Sequence, residues 1–130
     1  MDKEVLLGKE LCNLYAINKQ VHQYFKNSDV SFLSWRRQQT VKDYINFSKK
    51  NEESVAEMLR TLHINPGNTI DSIINEITDN LNEITQQTKE NKALNGLGYM
   101  MSFNRLVNYH KANVENIKFI LHELDEIKIG

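Results

Sequence analysis

The chain has 130 residues, of which 40% are hydrophobic and 25% charged, and its formal net charge is −1 at pH 7. This length predicts one globular domain over residues 1–130, and the charge gives no general attraction for nucleic acid or an anionic membrane. Cys12 is the only cysteine, which excludes an internal disulfide and a cysteine-stapled secreted fold. No apolar signal segment or run of ~18 apolar residues is present. We therefore expect a cytoplasmic protein without a membrane partner.

The first predicted helix extends from about Asp2, a suitable N-cap, to about Lys26. One of its faces is apolar with a single polar member at the centre: Leu7, Leu11, Leu14, Asn18, Val21 and Phe25. Residues 27–29 favour a turn. The second predicted helix extends from near Ser31 to about His63. Its face is polar in the middle: Val41, Ile45, Ser48, Glu52, Val55, Leu59 and Leu62.

Residues 65–68, Asn-Pro-Gly-Asn, predict the clearest stop, because Pro66 cannot continue a helix and Gly67 turns freely. The third predicted helix begins after Asn68 or Thr69, with Asp71 in its first turn and off the buried face. That face is apolar throughout: Ile70, Ile73 or Ile74, Ile77, Leu81 and Ile84. The polar residues 86–92 predict the third connection.

The fourth predicted helix extends from about Leu94 to Ile127. Because Gly96 and Gly98 weaken its first turns, a start nearer Tyr99 is the alternative. Its face has one polar member: Met100, Phe103, Val107, His110, Val114, Ile117, Leu121 and Leu124. Four long helices with short connections predict an all-α, antiparallel up-down-up-down four-helix bundle. Since a slender bundle exposes much surface, we also expect a homodimer.

The four faces place one polar layer at mid-height of the bundle, made of Asn18, Ser48, Glu52 and His110. Di-iron and di-manganese sites are built at this height from a Glu on each of two helices and Glu-x-x-His on the other two. Glu52 and His110 are the only such donors, and Val107 stands where the Glu before His110 belongs. They are weak metal candidates, so no cofactor is predicted, with iron or manganese as the alternative.

We interpret His110 as a neutral core histidine hydrogen-bonded to Asn18, Ser48, Glu52 or a tyrosine hydroxyl, because burying such groups unpaired is costly. A single-metal ligand, a small-molecule contact and a catalytic base are the alternatives. No phosphate loop, Cys-x-x-Cys or nucleophile elbow is present, so no catalytic residue is assigned. Cys12, at the edge of an apolar face without an activating base, is predicted to be a packing residue.

The start of the second helix combines basic and aromatic residues, as nucleic-acid-binding surfaces do: Trp35, Arg36, Arg37, Lys42, Tyr44, Lys49 and Lys50. Asp43, Glu52 and Glu53 interrupt the basic residues. A charged helix face of this kind is usually only solvated, so we predict no nucleic-acid partner.

Residues 14–20, Leu-Tyr-Ala-Ile-Asn-Lys-Gln, resemble the LY-x-A-E-K-Q opening of the stress-associated YciE/YciF-type bacterial family. Residues 53–60 and 62–66 are similar to its second helix and LG-x-x-P exit. The resemblance implies a ferritin-like four-helix bundle, commonly dimeric, with a di-metal centre. Asn18 replaces the family's helix-one Glu, Gln38-Gln39-Thr40 its helix-two acid and His cluster, and residues 108–111 its Glu-His-Tyr-Glu.

These observations predict a non-enzymatic ferritin-like protein without a working di-metal centre, which acts by dimerisation or partner binding in a stress response. Two alternatives stay open. One is a metal-binding or oxidising ferritin-like protein whose ligands lie elsewhere in the chain. The other is a small helical inhibitor or immunity-type protein, because that class also builds compact bundles without catalytic residues.

Overall fold

The computed structural model describes residues 2–87 and 91–129, with side chains up to residue 125. Over these residues the chain forms four α-helices and no strand: α1 Lys3–Lys26, α2 Trp35–Thr61, α3 Ser72–Gln86 and α4 Lys92–Ile129. The predicted all-α class with four helices is therefore confirmed. None of these helices, as far as their residues are described, has the length and apolarity needed to cross a bilayer.

Side-chain caps fix the starts of α1 and α2. Asp2 caps α1 as predicted, since its carboxylate accepts the Val5 N–H at 2.8 Å. The predicted start of α2 near Ser31 is wrong, because Ser34 is the N-cap and the helix begins after it. Asp29 holds the preceding segment in a turn by accepting the Ser31 N–H at 2.9 Å.

α2 ends at Thr61 rather than at the predicted His63, because His63 takes a left-handed conformation with φ of 56°. The Ile64 N–H donates to the Leu59 carbonyl at 2.9 Å, and the His63 N–H donates to the Arg60 carbonyl at 3.1 Å. These are the two bonds of a Schellman motif, which satisfy carbonyls at a helix end. The non-helical segment that follows contains the predicted stop at residues 65–68.

The start of α3 is later than predicted, because its N-cap is Asp71 and not Asn68 or Thr69. The Asp71 carboxylate accepts the Ile74 N–H at 2.9 Å. Placing Asp71 off the buried face was wrong, since this residue is only 5% exposed. The carboxylate that begins α3 is thus part of the interior.

α4 is continuous from Lys92 through Gly96 and Gly98, close to the predicted start at Leu94. The alternative start near Tyr99 is wrong, because helical hydrogen bonding and packing outweigh the low helix propensity of the two glycines. The predicted third connection, residues 86–92, lies partly outside the described residues.

The helices share one core, and the predicted face of α1 is buried along its whole length. On the other helices the buried face departs from the predicted one at single positions. Leu62 and Ile70 were predicted to be buried and are 44% and 67% exposed. Tyr44 and Tyr99, which the predicted faces omit, are 5% and 0% exposed.

α1 and α4 lie at the centre of the arrangement, since they contact each other and each of them also contacts α2 and α3. The contacts that show this are Lys3–Glu123 between α1 and α4, Phe25–Tyr44 between α1 and α2, Gln20–Asn75 between α1 and α3, Asp71–Tyr109 at the start of α3 with α4, and Tyr44–Phe103 between α2 and α4. The polar layer lies within this frame.

Candidate functional site

His110 lies in the buried face of α4 and is 0% exposed. Its Nδ1 is 2.6 Å from the hydroxyl oxygen of Tyr44 in α2, a hydrogen-bonding distance. The rings of Tyr44 and Phe47 approach the imidazole edge-to-face, with centroid distances of 5.5 and 5.4 Å. Of the partners that the sequence allowed for this histidine, the structure supplies a tyrosine hydroxyl.

Burial among aromatic rings keeps the His110–Tyr44 pair uncharged. It lowers the pKa of His110 to about 4 and raises the pKa of the Tyr44 hydroxyl. A neutral imidazole has one N–H donor and one acceptor nitrogen. Nδ1 bonds to Tyr44, whereas Nε2 is buried without a hydrogen-bond partner among the described residues. The ring is therefore a half-satisfied core group.

Asn18 forms the other part of the polar layer and is also 0% exposed. Its amide nitrogen donates to the Leu14 carbonyl at 3.0 Å and to Asn51 Oδ1 at 2.8 Å. Its amide oxygen accepts the Ser48 hydroxyl at 3.2 Å. Both N–H donors and the oxygen of this buried amide have hydrogen-bond partners. Asn18 therefore joins α1 to α2 without leaving a buried polar atom of its own unpaired.

The structure brings Asn18 and Ser48 together, but the bond from Asn18 to the next turn of α2 goes to Asn51, whereas Glu52 is half-buried. The sequence pattern missed Asn51 because it lies one position before Glu52, on the neighbouring side of the helix. Tyr44 and Val55 lie four residues before Ser48 and four after Asn51, which continues the inner face. A test of the 44-48-51-55 register, with its 4-3-4 spacing, would have found Asn51.

The residues at mid-height do not fit the di-metal centre that the family resemblance implies. Such a centre needs bridging carboxylates, and the α1 position is occupied by the amide of Asn18, whose donors are already bonded. Over the described residues, no group of three or more His, Cys, Asp and Glu side chains is placed to hold a metal ion. Among the described residues, His110 Nε2 is the one buried side-chain nitrogen without a hydrogen-bond partner, and it belongs to no such group.

A second buried polar cluster surrounds Asp71. Its Oδ2 accepts the Tyr109 hydroxyl at 2.6 Å and the Asn13 amide at 3.1 Å. The Gln20 side chain bonds both the N–H and the carbonyl of Asp71, at 2.8 and 2.9 Å. One residue therefore ties the start of α3 to α1 and α4.

The pKa of Tyr109 is raised to about 12, first by burial and then by the hydrogen bond and charge of Asp71. No local sequence signal could have found this cluster. Asn13 and Tyr109 lie far from Asp71 in the chain and meet it only after the helices pack. The local sequence around Asp71 indicates only its capping function, since an Asp before the start of a helix is a common N-cap.

The aromatic residues of the basic and aromatic segment in α2 do not share one surface. Trp35 is 75% exposed at the start of α2, whereas Tyr44 is buried in the core.

Cys12 is half-buried on α1, and desolvation raises the pKa of its thiol. A thiol with a raised pKa is a poor nucleophile at neutral pH.

No family model, curated protein or solved structure matches this chain.

Proposed function

We propose that the protein is a non-enzymatic helical bundle of ferritin-like shape that acts by forming a homodimer, in the stress response of the cytoplasm. Its helices run antiparallel, up-down-up-down. The pairing of Lys3 near the start of α1 with Glu123 near the end of α4 supports this direction. The resemblance of residues 14–20 to a stress-associated, commonly dimeric family supports the biological setting.

Gly98 carries the proposal. A glycine inside a helix costs about 1 kcal/mol relative to alanine, and close packing against a neighbour is one reason for a glycine there. At Gly96, a Cβ would lie 3.1 Å from Arg37 Nη1, which is a closer approach than most Cβ atoms make. At Gly98, no described atom outside the helix lies within 4 Å of such a Cβ. Packing within one chain thus gives no reason for Gly98.

Three exposed apolar side chains surround Gly98 on α4 and form what we call the α4 face. Leu94 is 63% exposed, Leu97 50% and Met101 52%. Their spacing of three and four residues places them on one side of the helix. A glycine among them allows a second backbone to approach closely.

The α4 face is self-complementary. If two copies of α4 cross antiparallel near Leu97, then Leu94 of each copy meets Met101 of the other. This reciprocal relation is the one that a two-fold interface requires. The face is small compared with the ~800 Å² that each partner buries in a standard interface, so the dimer is weak and depends on concentration.

Sedimentation velocity over a range of protein concentrations tests the proposal. We expect a monomer–dimer equilibrium that Leu97→Glu abolishes while the helix content stays unchanged. Phe119→Glu is the matched control, because Phe119 is 65% exposed on the same helix but outside the α4 face. A monomer at every concentration, or equal effects of the two substitutions, would contradict the proposal.

Gly98→Ala separates dimer formation from folding. It should stabilise the monomer by about 1 kcal/mol through helix propensity, because the added methyl group meets nothing within the chain. It should weaken the dimer, because the same methyl group lies where the second helix approaches. Metal analysis of tag-free protein tests the remaining part of the proposal, and near-stoichiometric iron, manganese or zinc would overturn it.

A further inference from the structure

A groove of about 270 Å³ lies between α1 and α2, next to the polar layer, since Ser48 is among its lining residues. Its floor is apolar and consists of Val21 and Phe25 from α1 and Ile45 from α2. Val21 and Phe25 are 1% and 9% exposed, so the floor is the outer surface of the core itself. Ser48 is the one hydroxyl-bearing residue among the described residues of the lining.

Ser48 does not supply a free hydrogen-bond donor to the groove, because its hydroxyl donates to Asn18 Oδ1 at 3.2 Å. A charged ligand group therefore has to be held elsewhere. The other polar residues of the lining are Lys26, Lys49 and His22, all exposed.

Among the described residues, the side chains that line this groove include two lysines and no Asp or Glu. Over the described residues, the ion pairs join Lys3 to Glu123, Arg60 to Glu57 and Lys118 to Glu115, and none engages Lys26 or Lys49. An apolar floor beside two unengaged ammonium groups is complementary to a molecule with an apolar body and an anionic end.

We propose that this groove binds a free medium-chain carboxylate. The alkyl chain lies over Val21, Phe25 and Ile45, and the carboxylate lies at the rim beside Lys26 and Lys49. A volume of about 270 Å³ is just below the ~300–1,000 Å³ of pockets for drug-sized ligands, which favours a single short chain over a two-chain lipid. The site does not depend on the homodimer, because the groove uses no residue of the α4 face.

NMR titration of the intact chain with octanoate, below its micelle concentration, tests the proposal. We expect saturable shifts of the Val21, Phe25 and Ile45 signals. Shortening the ligand to butanoate should weaken binding strongly, since each lost CH₂ costs roughly fourfold in affinity. Octylammonium, which has the same chain and the opposite charge, should not bind.

Two charge-matched double variants identify the rim. Lys26→Gln/Lys49→Gln should weaken octanoate binding by about tenfold. Lys50→Gln/Lys111→Gln removes the same charge from exposed residues that do not line the groove, and should leave the affinity unchanged. Each variant is first compared with the unaltered chain by circular dichroism, and Lys26→Arg/Lys49→Arg, which retains both charges, should restore binding.

Three results would overturn the proposal: equal weakening by both double variants, octylammonium binding as tightly as octanoate, or shifts centred outside the groove. Binding only to vesicles of anionic lipid, with no response to free octanoate, would also overturn it. None of these results would affect the dimer proposal, because the groove and the α4 face share no residue. For the same reason, Leu97→Glu should leave the octanoate affinity unchanged.

Discussion

Asp71 and His110 are both ionisable and both almost fully buried, but their surroundings differ. The Asp71 carboxylate accepts three hydrogen bonds, from the Ile74 N–H, Tyr109 and Asn13. His110 is surrounded by aromatic rings and bonds only to Tyr44 among the described residues. A polar group can thus be buried in two ways, by surrounding it with donors or by keeping it neutral. At Asp71 the hydrogen bonds join the start of α3 to α1 and α4. At His110 the burial of a neutral imidazole makes the stability of the fold sensitive to acid.

The comparison predicts that removing Asp71 has the largest effect. Asp71→Ala deletes the N-cap of α3 and leaves Tyr109 and Asn13 without their shared acceptor. We expect a loss of about 3 kcal/mol in the free energy of unfolding, measured by urea denaturation. The loss should be accompanied by faster hydrogen exchange at the start of α3, because that is where the unpaired N–H groups lie.

Asp79→Ala is the matched control, because Asp79 is an exposed carboxylate on the same helix. It should change stability by less than about 0.5 kcal/mol. If the two alanine variants proved equally stable, Asp71 would not be the junction described above.

An effect of about the same size should come from acid, through His110. The folded-state pKa of about 4 lies below the ordinary 6.5, so between these values the unfolded chain binds a proton that the native chain does not. Stability from this residue is therefore complete above pH 6.5, falls as the pH drops to about 4, and then levels off. The loss over this window should be about 3 kcal/mol.

The measurement is the free energy of unfolding against pH for the unaltered chain and for His110→Leu. All other titratable groups are the same in the two proteins, so the difference between the curves isolates His110. Parallel curves between pH 6.5 and 4 would show that the imidazole is hydrated or paired in the native state, and the contrast with Asp71 would then disappear.

The two regions also differ in how far the sequence predicts them. The α1 face, including Asn18 at its centre, follows from spacing alone, because one helix surface is buried along its whole length. The position of His110 follows in the same way. The partner of His110 does not follow, since Tyr44 lies outside the predicted face of α2. The second partner of Asn18 does not follow either, because the choice between Glu52 and Asn51 depends on a small rotation of α2.

Asp71 is harder still to predict. Its cap function is local, but its burial results from the loop that brings residue 71 against α1 and α4. Ile70 and Ile73 would have competed for the interior on hydrophobicity, yet they are 67% and 46% exposed. The Gln20 side chain accepts the Asp71 N–H and donates to the Asp71 carbonyl, and these bonds hold the Asp71 backbone against α1 while both isoleucines lie outside the core.

The smallest expected effect tests whether the His110–Tyr44 bond matters beyond the burial of the two rings. Tyr44→Phe leaves both imidazole nitrogens unpaired and should cost about 2 kcal/mol. His110→Leu leaves the buried Tyr44 hydroxyl unpaired but removes the orphaned Nε2, so its cost should be lower, about 1 kcal/mol. The double variant removes both partners and should be within about 1 kcal/mol of the unaltered chain. A double-mutant cycle in urea measures this coupling, and strictly additive losses would mean that the two rings pack without an energetically significant hydrogen bond.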